Sequence, residues 1–132
     1  MSNTSVPTIL VACRKNAGRS QAAASILRSL VGDQVVVLSG GSEPADAVHP
    51  EVREVLAERG LGVEETPKAF DEAMVKSADV VITMGCGDAC PFFPGKRYLD
   101  WKLDDPAGQG VDAVRPIRNQ IKSLVKELIE TL

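Results

Sequence analysis

Short apolar runs alternate with amphipathic stretches along most of this chain of 132 residues. We predict strands at 7–12, 34–39, 79–84 and, as a short edge strand, 97–103. We predict helices at about 19–31, 50–59, 70–78 and 112–130. Strands that alternate with helices form parallel sheets with right-handed crossovers. We therefore expect an α/β fold, with a four-stranded parallel sheet flanked by helices in one domain over residues 1–132.

Local signals mark where these predicted elements begin and end. Pro50 suits the first position of a helix, Gly60 suits the end of that helix, and Asp71 suits the N-cap of the next. Residues 40–44 (GGSEP) predict a loop after the second strand. The last helix carries an apolar stripe formed by Ile117, Ile121, Leu124, Val125 and Leu128.

The first predicted strand leads through a short loop into a helix, and this loop is bracketed by a cysteine and an arginine. Its sequence is Cys13-Arg14-Lys15-Asn16-Ala17-Gly18-Arg19-Ser20. Backbone N–H groups of such a loop, with the first turn of the helix, can surround a tetrahedral oxyanion. Gly18 gives backbone freedom, Asn16 tolerates left-handed dihedral angles, and the guanidinium of Arg19 can bind two anion oxygens. The segment predicts an oxyanion-binding loop, formed by Arg14, Lys15, Asn16, Ala17, Gly18, Arg19 and Ser20.

Cys13 is the candidate nucleophile of this loop. A thiolate, not a thiol, is the reactive form, and a helix N-terminus and a nearby arginine both favour it. Ser20 is placed to donate a hydrogen bond to the sulfur. A buried structural cysteine beside a surface arginine is the alternative. The preceding strand, the internal glycine and the following helix disfavour that alternative.

Charge and composition exclude several other classes of function. The net charge of −3 gives no basic footprint for nucleic acid or a membrane surface. We find neither an apolar stretch of membrane-spanning length nor the pattern of a signal peptide, so we expect a cytoplasmic protein. Three cysteines, an odd number, favour reactive thiols in a reducing compartment over a disulfide scaffold.

Further reactive groups follow the other predicted strands. Cys86 and Cys90 lie in a loop at 85–96, and Asp105 precedes Pro106 after the edge strand. Ligands bind at the carboxyl ends of parallel strands, so these side chains are expected near Cys13 if the first and third strands are neighbours. Asp105 is a candidate proton donor, with Asp104 as the alternative and two solvated carboxylates as the inert interpretation.

The two later cysteines leave several interpretations open. Four residues in a helical turn rise about 6 Å, within disulfide range, whereas an extended segment spans about 13 Å, which is too far. Two buried inert thiols are one alternative, and a zinc site is a weaker one because ligands are missing. His49, the only histidine, is expected to cap a helix or lie at the surface.

Three motifs together resemble arsenate reductases of the low-molecular-weight tyrosine phosphatase superfamily. They are Cys13 to Gln21, Thr83-Met84-Gly85-Cys86 with Cys90, and Trp101-Lys102-Leu103-Asp104-Asp105-Pro106-Ala107-Gly108. The resemblance implies that Cys13 attacks arsenate, Arg19 and the loop bind it, and Asp105 protonates the departing oxygen. It also implies that Cys86 then attacks the Cys13 sulfur and Cys90 attacks Cys86, which leaves a Cys86–Cys90 disulfide for thioredoxin to reduce.

The resemblance also bears on cofactors and partners. A related branch uses mycothiol, with mycoredoxin, in place of the second and third cysteines and needs only the counterpart of Cys13. Some relatives bind potassium through a carboxylate on the first helix, but this chain has Ala24 there. We therefore expect no required metal and no bound cofactor, with reducing equivalents from thioredoxin or a low-molecular-weight thiol.

Two other functions remain open at the level of sequence. A protein tyrosine phosphatase would use the same Cys13, Arg19 and Asp105, but Ala107-Gly108 offers no aromatic wall for a phenol ring, and a phosphatase does not need the later cysteines. A non-catalytic oxyanion-binding redox sensor is the second alternative. Arsenate and phosphate have nearly the same shape and charge, so we expect the redox step, rather than binding, to select arsenate.

Overall fold

The computed structural model describes residues 6–63, 66–84, 96–103 and 110–131. Cys86, Cys90, Asp104 and Asp105 lie outside the described residues, as do Pro106, Ala107 and Gly108.

The core of the fold is a four-stranded sheet in which every pair of neighbours is parallel. Its strands are β1 (Thr8–Cys13), β2 (Val36–Gly41), β3 (Val80–Met84) and β4 (Arg97–Asp100), in the order β2-β1-β3-β4. The predicted four-stranded parallel sheet is therefore confirmed, including the position of β4 at an edge. β1 has a neighbouring strand on each side and its last five residues are buried, so the residue that ends it lies at the carboxyl edge of the sheet, between two other strands.

Helices cover both faces of this sheet. They are α1 (Arg19–Val31), α2 (Pro50–Ala57), α3 (Glu72–Ser77) and α4 (Val111–Glu130). On one face, α1, α2 and α4 pack over a large apolar cluster that includes Ile9 and Val11 of β1. On the other face, α3 packs over a smaller cluster with Leu10 of β1. Alternate residues of β1 thus enter different clusters, as the two-residue period of a strand requires.

Predicted helix signals appear as expected at two positions. Asp71 is the N-cap of α3, where its carboxylate accepts a hydrogen bond from the Met74 N–H at 2.8 Å. Pro50 is the first residue of α2. Beyond the end of α2, Gly60 has φ +72°, and the Leu61 N–H donates to the Leu56 carbonyl at 3.0 Å. No described helix has the length and apolar character needed to cross a membrane.

The prediction for β2 was wrong by two residues at each end. A 3₁₀ turn at Gly32–Gln34 delays its start, and the strand continues through Gly40 and Gly41, which the sequence had suggested were loop. The neighbouring chain approaches these glycines closely: a Cβ on Gly40 would lie 2.7 Å from the Cβ of Phe70. Glycine therefore marks a tight approach between segments here rather than a turn.

Candidate oxyanion site

Cys13 ends the central strand and lies at the carboxyl edge of the sheet. It is 2% exposed and pairs in register with Gly41 of β2 on one side and Met84 of β3 on the other. The first and third strands are neighbours, as the sequence argument for bringing the later cysteines near Cys13 required.

Two hydrogen-bond contacts reach the Cys13 sulfur. The Asn16 N–H donates to Sγ at 3.3 Å, and Sγ lies 2.9 Å from the Ser20 Oγ. The same Ser20 oxygen accepts a hydrogen bond from the Asn16 Nδ2 at 2.8 Å, and its hydroxyl hydrogen can be donated to the sulfur when Cys13 is deprotonated. The sulfur therefore contacts one backbone donor and one hydroxyl group inside the loop.

The carbonyl groups of the loop between β1 and α1 all accept hydrogen bonds from other segments or from the following helix. Four accept from the chain after β2: Ser42 N–H to Cys13 O at 3.2 Å, Glu43 to Arg14 at 2.7 Å, Ala45 to Lys15 at 2.9 Å and His49 to Ala17 at 2.9 Å. The Asn16 carbonyl accepts from the Gln21 Nε2 at 3.0 Å. In a trans peptide, the C=O of one residue and the N–H of the next point in opposite directions. Carbonyls that are turned outward therefore leave the N–H groups of residues 14–18 facing the inside of the loop, where an oxyanion would sit.

Asn16 is the residue that ties this loop together. It is fully buried and has φ +51°, in the left-handed region that asparagine tolerates better than most residues. Besides its bond to Ser20, its Oδ1 accepts from the Lys68 N–H at 3.0 Å and from the Gln21 Nε2 at 3.2 Å. The side chain thus fixes the loop to α1 and to the segment before α3.

Gly41 allows β2 to pass directly against the loop. A Cβ at this position would lie 2.6 Å from the Arg14 carbonyl oxygen, closer than real Cβ contacts, and 3.0 Å from the Asn16 nitrogen, which is tighter than most of them. Only glycine fits without displacing the loop, so this backbone contact sets its position.

Arg19, the other residue that brackets the loop, is the first residue of α1 and is half-buried. Its Nη1 donates to the Leu103 carbonyl at 3.2 Å. Leu103 is the last described residue before the segment that contains Asp105. This contact joins the start of α1 to the chain that leads to the predicted proton donor.

Two cations and one carboxylate form the exposed rim of the loop. The Glu43 Oε2 accepts from the Arg14 Nε at 3.0 Å and from the Lys15 Nζ at 3.5 Å. The hydrogen bond and charge of Arg14 lower the pKa of Glu43, and Lys15 lowers it further. Since all three side chains are more than half exposed, this rim adjusts the local potential rather than the stability of the fold.

Sequence reasoning missed the supporting segment at 42–49 and the contacts of Gln21 and Lys68. The supporting groups in 42–49 are backbone N–H groups, which leave no trace in side-chain type. His49, expected to cap a helix or lie at the surface, occupies the N-cap position of α2 without a side-chain cap bond. Its imidazole lies beside Gly18, 3.4 Å from where a Cβ of that residue would be. The glycine pair at 40–41 was the one usable signal of a close backbone approach.

The fold and this loop define an α/β protein with a phosphatase-type oxyanion loop at the end of its central strand. Residues 8–132 match the family model for low molecular weight phosphotyrosine protein phosphatases, and the chain belongs to that family.

Comparison with individual proteins gives closer relatives. A putative arsenate reductase of Halobacterium salinarum is 40% identical over 124 residues, covering 89% of this chain and 87% of the relative. A glutaredoxin arsenate reductase of Synechocystis sp. is 31% identical over 125 residues, covering 92% of this chain and 95% of the relative. The structure of a thioredoxin-dependent arsenate reductase of Corynebacterium glutamicum has a TM-score of 0.86 at 43% identity, covering 96% of this chain. This chain spans 61% of the length of that protein.

Proposed function

We propose that this chain is an arsenate reductase that uses Cys13 as its nucleophile. The observation that carries the proposal is the position of the Cys13 sulfur, which accepts from the Asn16 N–H and contacts the Ser20 hydroxyl inside a loop whose carbonyls are turned outward. Such a loop places a cysteine nucleophile beside N–H donors for a tetrahedral anion. The three relatives named as arsenate reductases support arsenate as that anion.

The first step joins the sulfur to arsenic. Arsenate binds to the N–H groups of residues 14–18 and to Arg19, and the Cys13 thiolate attacks As(V). A bond forms between sulfur and arsenic, and one arsenic–oxygen bond breaks. Asp105 protonates the departing oxygen, which leaves as water. The bond from Arg19 to the Leu103 carbonyl supports this role for Asp105, because Asp105 follows Leu103 by two residues in the chain.

The second step reduces the arsenic. The Cys86 thiolate attacks the Cys13 sulfur, a disulfide forms, the sulfur–arsenic bond breaks, and its electron pair stays on arsenic, which leaves as As(III) in arsenite. Cys90 then attacks Cys86, so that Cys13 returns as a thiolate and the Cys86–Cys90 disulfide holds the two oxidised sulfurs. The pairing of Met84 with Cys13 in the sheet supports Cys86 as the first thiol to attack, because Cys86 follows Met84 by two residues in the chain.

An external thiol reductant must close the cycle. Thioredoxin is the reductant we propose, since the Corynebacterium relative is a thioredoxin-dependent arsenate reductase. The Synechocystis relative is called a glutaredoxin arsenate reductase, which names a second thiol-based reductant. In the alternative cycle, mycothiol attacks the Cys13 adduct and mycoredoxin reduces the mixed disulfide, so Cys86 and Cys90 take no part. Either cycle fits a reducing cytoplasm and needs no bound cofactor.

A phosphotyrosine phosphatase is the second candidate. The description of the family favours it, and an oxyanion loop with Cys13 and Arg19 would serve a phosphoester equally well. The two activities differ in what they consume: reduction needs two electrons for each arsenate, whereas hydrolysis needs only water.

The test is arsenate-dependent consumption of NADPH by the purified protein, coupled in parallel to thioredoxin with its reductase and to mycothiol with mycoredoxin. We expect turnover with thioredoxin that is lost in Cys13→Ser, Cys86→Ser and Cys90→Ser. Turnover with mycothiol but not with thioredoxin, and retained in Cys86→Ser and Cys90→Ser, would refute the three-cysteine relay. It would still support Cys13 as the nucleophile. Failure with both reductants, together with release of phosphate from an aryl phosphate, would establish the phosphatase. Binding of arsenate without either activity would leave the redox sensor.

A further inference from the structure

A groove with basic residues lies on the helical face, away from the oxyanion loop. It contains a cavity of about 150 Å³ between α1, the chain after α2 and α4, lined in part by Ser29, Arg59, Arg118 and Lys122. Ser29 is ten residues beyond the start of α1 at Arg19, so it lies about 15 Å along the helix from the loop. The groove is therefore separate from the Cys13 site.

Arg118 is a buried arginine that uses two of its three guanidinium nitrogens in hydrogen bonds to described residues. Its side chain is 6% exposed, its Nε donates to Asn119, and its Nη1 donates to the Val55 carbonyl and to Glu58. Nη2 has no hydrogen-bond partner among the described residues. Since every fully buried side-chain nitrogen or oxygen of those residues does have a partner, Nη2 is not fully buried and contacts solvent. Arg118 is also one of the residues that line the cavity. A guanidinium held rigidly in this way presents a fixed donor to whatever occupies the space.

The other cations of the cavity add charge that no carboxylate of the described residues pairs with. Within the described ranges, neither Arg59 nor Lys122 takes part in an ion pair, and both are exposed. Glu58, which neutralises Arg118 through Nη1, does not line the cavity. Asn119 accepts from Arg118 through Oδ1, which leaves its amide nitrogen as a donor. Besides the apolar Ile26 and Leu61, the described part of the lining offers the Asn119 amide and three cations, of which Arg118 is paired with Glu58, and it contains no carboxylate.

We propose that this groove binds a phosphate group. The cavity has the volume of about five water molecules, enough for a five-atom oxyanion, and the lining matches a dianion with several acceptor oxygens. A second cavity of about 260 Å³ shares Ser29 and Leu61 with the first and is lined also by Ser25, Arg28, Gly60 and Gly62. This second cavity has room for the organic part of a phosphomonoester. The bound phosphate group therefore belongs either to inorganic phosphate or to such an ester.

The test is a titration of the ¹⁵N-labelled chain with inorganic phosphate and, separately, with glycerol 3-phosphate, at constant ionic strength. The oxyanion loop also binds phosphate under the proposed function, so each site is followed by its own amide signals. Ser29, Leu61 and Asn119 report the groove, and residues 16–20 report the loop. We expect both sets to saturate with different apparent Kd values. Tighter binding of glycerol 3-phosphate in the groove would identify an ester, and equal or weaker binding would identify the free ion.

Variants at exposed positions make the assignment specific. We expect the double variant Arg59→Gln/Lys122→Gln to weaken binding in the groove about tenfold or more and to leave the loop within about twofold. Lys126→Gln removes the same charge one turn further along α4, outside the cavity, and should change neither site. The proposal is overturned if the groove signals do not saturate, or if the double variant binds like wild type. The loop titration is a separate readout, so failure in the groove does not bear on arsenate reduction.

Discussion

Replacing Gly41 with alanine tests how closely the oxyanion loop is packed against β2. The new Cβ would lie 2.6 Å from the Arg14 carbonyl oxygen, where ordinary contacts begin at 3.4 Å. The loop or the strand must therefore move by about 0.8 Å. Both are backbone, and β2 is fixed to β1 by the register Cys13↔Gly41, so the loop is the part that yields.

The cost can be given in stability and in activity. Overpacking of this kind costs about 1–3 kcal/mol in the free energy of unfolding, which for a chain of this size lowers Tm by about 4–12 °C. A displacement approaching 1 Å at a reacting centre can cost about 100-fold in rate. We therefore expect kcat/KM for arsenate to fall by about 10- to 100-fold in Gly41→Ala, measured in the coupled assay beside urea denaturation.

Gly62→Ala is the matched control. A Cβ on Gly62 meets no atom within 4 Å, so this variant should match wild type in activity and gain at most about 1 kcal/mol in stability through the unfolded chain. If Gly41→Ala is as stable and as active as Gly62→Ala, the close contact between β2 and the loop does not hold the site in place.

Three further substitutions test other parts of the account. Asn16→Ala removes the side-chain acceptor of the Lys68 N–H and the donor to the Ser20 Oγ, whereas the Gln21 amide keeps the Asn16 carbonyl. We therefore expect a loss of about 1–3 kcal/mol by urea denaturation; a change below about 0.5 kcal/mol would contradict this role. Hydrogen bonds from Arg115 and Arg118 lower the pKa of Glu58 from its usual 4.5 to about 2, so the carboxylate stabilises the fold above about pH 4.5 and this stabilisation is lost as pH falls towards 2. Glu58→Gln should therefore be less stable than wild type at pH 7, with a difference that narrows below about pH 4.5; a constant difference in unfolding free energy over this range would refute the assignment. Asp71→Ala removes the N-cap of α3 and should cost about 1 kcal/mol in thermal unfolding while KM for arsenate stays constant; a KM change would place α3 in the site.

Much of the fold follows from local patterns in the sequence. The apolar runs predicted the strands because buried parallel strands need side chains that are apolar on both faces. The stripe on α4 correctly placed Ile117, Ile121, Val125 and Leu128 in the core. The helix signals at Pro50 and Asp71 act within one turn and are equally local.

Contacts between distant segments were beyond this reasoning. Gly40 and Gly41 suggested a loop, since nothing near them in the chain shows that Phe70 and Arg14 come close. The N–H groups of residues 42–49 that support the oxyanion loop have no side-chain signature. Arg118 interrupts the apolar stripe of α4, and its burial makes sense only with Glu58 and the Val55 carbonyl in place.

The central claim is that Cys13 forms a bond to arsenic and that a second thiol of the same chain then attacks the Cys13 sulfur, which reduces the arsenic and releases arsenite. The most direct measurement is a single turnover of reduced Cys90→Ser with excess arsenate, followed by quantification of arsenite and mass spectrometry of the protein under non-reducing conditions. We predict about one arsenite per chain and a Cys13–Cys86 disulfide, because the last exchange has no attacking thiol. Repeated turnover with thioredoxin, or arsenite formed without that disulfide, would contradict the relay.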